Sequence, residues 1–180
     1  MKFFNKRHEA VLYNTLLNLS RNIFFYKKLQ LKDSFETRIY LMFFHYSIIL
    51  LILKKKSIKY DQKSYDDLFD SIENNLRELG FGDVSVNKKM KDLNKIFYDV
   101  LLKLNIGKDN FEINEKLILK YFDYLDFGNT EKIKDFSDYF TNFYKFCFDK
   151  PSDIMIEEAI NFKNLLWQYL NEKPRFQKKK

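Results

Sequence analysis

The stretch "IYLMFFHYSIILLIL", Ile39 to Leu53, runs for fifteen residues with apolar side chains on every side of a helical wheel. Arg38 precedes it and Lys54, Lys55 and Lys56 follow, while His45 and Ser47 sit near its middle. Such a helix spans about 22 Å at 1.5 Å per residue, short of a hydrocarbon core about 30 Å thick. A helix apolar all round is either the buried centre of a bundle or a membrane-inserted segment. In the first case the rest of the chain must bring apolar stripes to it from several directions.

The remaining sequence is suited to that. Its 180 residues suffice for one domain with a sizeable core, and only four Gly and two Pro leave few strand and turn signals. Long helices are therefore expected. Residues 7–20 and 22–29 read as two helices, and "DSFE" resembles a capping box with Asp33 as cap and Glu36 three residues on. In "SYDDLFDSIENNLREL", Tyr65, Leu68, Phe69, Ile72, Leu76 and Leu79 recur at spacings of three and four, with Ser64 as a ready N-cap. Further helices are expected near 111–126, 131–148 and 152–171, with breaks at Gly107, "FGNT" (127–130) and Pro151. No strand pairing is legible. The expected fold is all-α, a single-domain bundle of about seven to eight helices over residues 1–172, followed by a basic tail at 173–180.

Two of the four glycines fall close together in "LRELGFGDVSVNKKMKDLNKIFY". A phosphate loop would need G-x-x-x-x-G-K-[ST] or a preceding strand, and neither is present. They read as turn-formers: Gly80 as a left-handed C-cap, Gly82 for a tight bend into the next helix. That helix buries Val86, Met90, Leu93, Phe97, Val100, Leu101 and Leu104 and sets Lys88, Lys91 and Lys95 nearly opposite. Lysines in the first turns oppose the helix dipole. They are either a solvated face or a docking patch for an anionic partner.

Net charge is +7, yet eight positive charges lie in residues 1–8 and 173–180, so the body between carries −1. The basicity is local, and the tails are of the kind that attracts RNA or anionic lipid weakly. Phe (20) and Tyr (12) are abundant, which reflects either an AT-rich genome or an aromatic binding surface. One cysteine, Cys147, excludes an intrachain disulfide, and "MKFFNKRHEAVLYN" turns charged before an apolar run of leader length develops. Enzyme signatures are wanting. With His8 and His45 far apart and a single Cys, no zinc spacing exists, and neither G-x-S-x-G nor a dinucleotide fingerprint occurs. No catalytic residue, metal or cofactor is expected. Arg38 and His45, seven residues apart, share a helix face. His45 is either a hydrogen-bonded core residue or a binding contact.

At "FDSIENNLRELGFGDVSVNKKMKDLNKIFY" the chain resembles the ubiquinol–cytochrome c chaperone family. The residues that carry the likeness are Phe69, Asp70, Leu76, Arg77, Glu78, Gly80, Gly82, Asp83, Val86, Lys88, Lys89, Met90, Lys91, Phe97 and Tyr98. Upstream, Arg38 and His45 occupy matching places in a similar helix, and the resemblance extends over about residues 10–105. Asp99 and Val100 stand where the family has glycine and arginine. The resemblance implies an all-helical, non-catalytic assembly factor for the cytochrome bc complex, respiratory complex III. It would bind newly made cytochrome b, with the ribosome or its RNA and a small partner protein as further partners. It further implies a cytoplasmic site, peripheral at the cytoplasmic face of the inner membrane, or the matrix side if mitochondrial. Arg77, Asp83, Lys88, Lys89, Lys91 and Lys95 are then partner-binding residues, and Arg38 and His45 touch client or core. The rival readings are a small helical RNA- or ribosome-binding protein and a peripheral membrane adaptor.

Overall fold

The computed structural model describes residues 6–106, 111–123, 125 and 130–163. Helix α1 (Lys6–Ser20) leads through one π-helical turn (Phe24–Lys28) to α2 (Phe35–Lys55), α3 (Gln62–Glu78) and α4 (Asp83–Lys103). A minimal antiparallel ladder, β1 (Asn105–Ile106) with β2 (Phe111–Glu112), precedes α5 (Glu115–Tyr121), α6 (Thr130–Phe148) and α7 (Met155–Ala159). The fold is an all-α bundle, as the sparse glycine and proline imply.

The apolar run is the middle of α2; its centre, residues 41–49, is buried from all sides, while Tyr40, Leu50 and Leu51 are half-buried. Successive residues of a helix turn by about 100°, so four in a row sample the full circle. Phe43 stacks on Phe69 of α3, with ring centroids 5.7 Å apart, and meets Phe97 of α4 edge-on. Phe44 packs against Phe122 and against Phe136 and Phe140 of α6. His45 lies against Phe140 and Phe143, and Tyr46 stacks on Phe97. Each of the four is shielded from solvent. α2 is long and apolar enough to cross a membrane by length and composition, but 67% of its apolar window is buried inside the protein. Its place is the hub: α1, α4 and α6 all pack on it.

Several boundaries differ from the sequence expectation, each for a local reason. Ser34, rather than Asp33, caps α2, accepting from the Thr37 N–H at 3.2 Å. Asp33 is drawn instead to Arg38, at 2.6 Å. Asp61, rather than Ser64, caps α3, accepting from the Lys63 N–H at 3.2 Å, so the helix starts earlier. The segment 22–29 forms a single π turn, with the Leu29 N–H donating to the Phe24 carbonyl. This wide turn aims both Phe24 and Phe25 into the core. The stretch expected as helix 111–126 opens with β2 instead, because Phe111 is held flat on Tyr144 of α6, 5.2 Å between centroids. Asn114 then caps the shorter α5. The expected helix 152–171 contains α7, and its residues beyond 163 lie outside the described residues. So do Gly107, residues 127–129 and the basic tail.

Helix ends explain the glycines unequally. Gly80 has φ +89, and the Phe81 N–H donates to the Leu76 carbonyl while the Gly80 N–H donates to that of Arg77. This is the Schellman arrangement, in which the left-handed residue is best a glycine. α2 ends in the same way on a non-glycine: Ser57 has φ 57, with Ile58 N–H to Leu53 carbonyl and Ser57 N–H to Lys54 carbonyl. Gly82 departs from expectation. Its φ of −73 and ψ of 161 suit any residue, it caps α4 with no side chain, and a Cβ there meets open space. In denaturant titrations Ser57→Gly should raise stability by about 1 kcal/mol and Gly80→Ala lower it by a similar amount. Gly82→Ser, supplying the missing cap, should be neutral or gain a few tenths of a kcal/mol.

Candidate partner-docking face

α4 follows the turn directly and packs its inner side on α2 and α3. Val86, Leu93, Phe97 and Val100 are its buried residues. Lys88, Lys91 and Lys95 project from the opposite side and are exposed. Lys88 and Lys91 form no ion pair among the described residues. Lys95 sits 3.3 Å from Asp92, one turn back, with its side chain 78% exposed, so its charge is hardly compensated. Lys89 does not belong to that face. It lies over the Phe81 ring, 4.7 Å from the centroid, and 4.0 Å from Glu36.

Arg77 and Asp83 are brought together. Arg77 reaches back 2.8 Å to Glu73 and forward across the turn to Asp83. These two carboxylates raise the guanidinium pKa, Asp83 most. The three side chains clasp the end of α3 to the start of α4, and Asp83 also complements the α4 dipole. The direction of the lysine face is set by the packing of Val86, Leu93, Phe97 and Val100 on the other side of α4.

Arg38 and His45 are separated by depth. Arg38 stays near the surface with Asp33. His45 is wholly buried, its Nδ1–H donating to the Leu41 carbonyl at 2.7 Å. Its Nε2 accepts from the Tyr139 hydroxyl of α6 at 2.9 Å. Burial drives the imidazole pKa from 6.5 down to about 3, against a small upward pull from the Leu41 bond. Burial likewise raises the Tyr139 hydroxyl and takes the Cys147 thiol up to about 12. His45 is thus a neutral core residue with no solvent path to haem or client.

Asp99 was invisible to motif reading. It accepts from Lys103 at 2.6 Å, Lys120 at 2.8 Å and the Tyr121 hydroxyl at 2.5 Å. Partial burial raises its pKa, but these three donors outweigh that and hold it well below the carboxylate range. The cluster ties α4 to α5. Val100, where the family pattern has arginine, is wholly buried and turned away from any partner. Among the described residues no group of three His, Cys, Asp or Glu side chains converges as a metal site would require.

A family model described as ubiquinol-cytochrome C chaperone matches residues 27–117, about half of the chain. The chain belongs to the ubiquinol–cytochrome c chaperone family. No curated protein and no solved structure gives a match. Membership supports a chaperone role in assembling complex III, which is a non-enzymatic one. The matched segment contains α2, α3 and α4 whole, hence the clasp, the lysine face and His45. Tyr139, which completes the hydrogen bonding of His45, falls outside it.

The histidine gives a pH signature with a definite sign. The folded chain excludes a proton that the unfolded chain binds near pH 6.5. Stability should therefore be complete above that pH and fall as the solution is acidified toward 3, by at most about 1.4 kcal/mol per pH unit. Denaturation midpoints measured from pH 7 to 4.5 should show this slope in the natural chain and a flatter one in His45→Gln.

Proposed function

We propose that this chain binds newly made cytochrome b and holds it during assembly of the bc complex, docking to its partners through the outward face of α4. Family membership gives the process. The observation that carries the docking step is the set of outward ammonium groups on Lys88, Lys91 and Lys95, the first two without an ion pair among the described residues and the third held only by an exposed pair with Asp92. Folding alone gains little from lysines there: Lys88, in the second turn, sits on the wrong side of the dipole, and of the three only Lys95 has an ion pair among the described residues, an exposed one. An anionic partner would supply what is missing. Acidic loops of the client, a small partner protein and ribosomal RNA all offer such charge, and a site at the cytoplasmic face of the inner membrane, or the matrix side, follows from a membrane-protein client.

The same lysines favour a second reading, an RNA-binding protein that acts without a client. The two are separable. Recovery of the chain's partners from cells with and without cytochrome b expression should differ if cytochrome b is the client. A pure RNA binder would recover the same material from both, with affinity falling steeply in salt. The triple variant Lys88→Glu, Lys91→Glu, Lys95→Glu should lose partner recovery while its unfolding free energy changes by no more than the small amount typical of surface substitutions, about 0.5 kcal/mol each. Unchanged recovery would remove the docking face from the proposal.

A further inference from the structure

The lysines are the middle of a longer outward stripe. Val84, Lys88, Lys91, Lys95, Tyr98 and Leu102 follow one another at spacings of four and three. At about 100° per residue all six fall within roughly 40° of one line along the helix. That line is opposite the buried positions Val86, Leu93, Phe97 and Val100. The ends are apolar and bare: Val84 is 85% exposed and Leu102 80%, with Tyr98 at 49%. Lys91, Lys95, Tyr98 and Leu102 also line one shallow groove with Asn94 and Asp99. Heptad spacing of this kind is the seam along which a second helix packs.

Resting on the docking role proposed above, we infer that the occupant is an amphipathic helix of a partner protein, laid nearly parallel to α4, with acidic residues at its centre and apolar residues at both ends. Charge complementarity selects it. Three lysines in the centre, two of them unpaired, need carboxylates opposite if the seam is to be dry enough to bury Val84 and Leu102. The apolar ends are 18 residues apart, about 27 Å of helix, and so call for a partner helix of about five turns. A bilayer fits less well, because the lysines interrupt the apolar contact instead of bordering it. RNA would leave Val84 and Leu102 unused. Asp99 does not repel such a helix, since Lys103, Lys120 and Tyr121 already satisfy it. Asp92 flanks the stripe on one side and is partly neutralised by Lys95.

The test places a photo-cross-linking amino acid at Val84 in one full-length variant and at Leu102 in another, each expressed in cells that make cytochrome b. Both should mark one polypeptide segment, at points about 18 residues apart, with Asp or Glu at helical spacing between the marks. Val84→Ser with Leu102→Ser should weaken recovery of that same polypeptide about tenfold, the loss of about 1.4 kcal/mol of apolar burial, with the lysines intact. Cross-links to RNA, to lipid, to the exposed acids Asp66 and Asp70 on a second copy of this chain, or to nothing would each overturn the inference. The lysine reversals tell which reading has failed. If they abolish recovery while the cross-links land elsewhere, the docking face stands and only the helical occupant falls. If they leave recovery intact, the docking face falls with it.

Discussion

The structure depends on burying one helix from all sides at once. A helix apolar around its whole circumference has no solvent face, so each neighbouring element is committed to covering one sector of it. Phe43, Phe44, His45 and Tyr46 of α2 point to different neighbours, and each finds an aromatic ring waiting. This accounts for the wealth of phenylalanine and tyrosine without a client surface: Phe97, Phe136, Phe140 and Phe143 are core residues. It also explains the one polar exception. An imidazole at the hub is tolerable because both ring nitrogens are paired, one within α2 and one across to α6.

Once the hub is fixed, the outward geometry follows. α4 covers the Phe43 and Tyr46 sectors through Phe97, and this rotates Lys88, Lys91 and Lys95 to the outside. The turn that starts α4 is closed by Gly80 and bridged by Arg77 and Asp83. Family membership and local electrostatics then concern one surface.

Legibility in the sequence tracked the range of the forces. Helix periodicity and the all-round apolar run were plain, because a three-to-four spacing is local. Gly80 was readable from its place after Leu79. Caps were harder, since Asp33, Ser34, Asp61 and Ser64 are all competent and the choice turns on which backbone is extended. The π turn and the ladder at Phe111 were not legible at all. Both exist to satisfy packing against α6, a contact between residues far apart in sequence. Of the candidate docking face, the lysines could be seen from their position opposite the apolar stripe. The Tyr139 bond to His45 and those of Lys120 and Tyr121 to Asp99 needed coordinates, because they join residues 94, 21 and 22 apart, whereas Lys103 lies one turn from Asp99 on the same helix.

The burial of α2 has a consequence during synthesis. Its shield is incomplete until α6 is made, and α6 begins at Thr130, well after α2 ends at Lys55. At about 5–20 residues per second, the growing chain spends several seconds with the α6-facing side of that helix, Phe44 and His45, still uncovered. A protein of the chaperone family thus passes, in its own infancy, through the condition of an unguarded membrane segment.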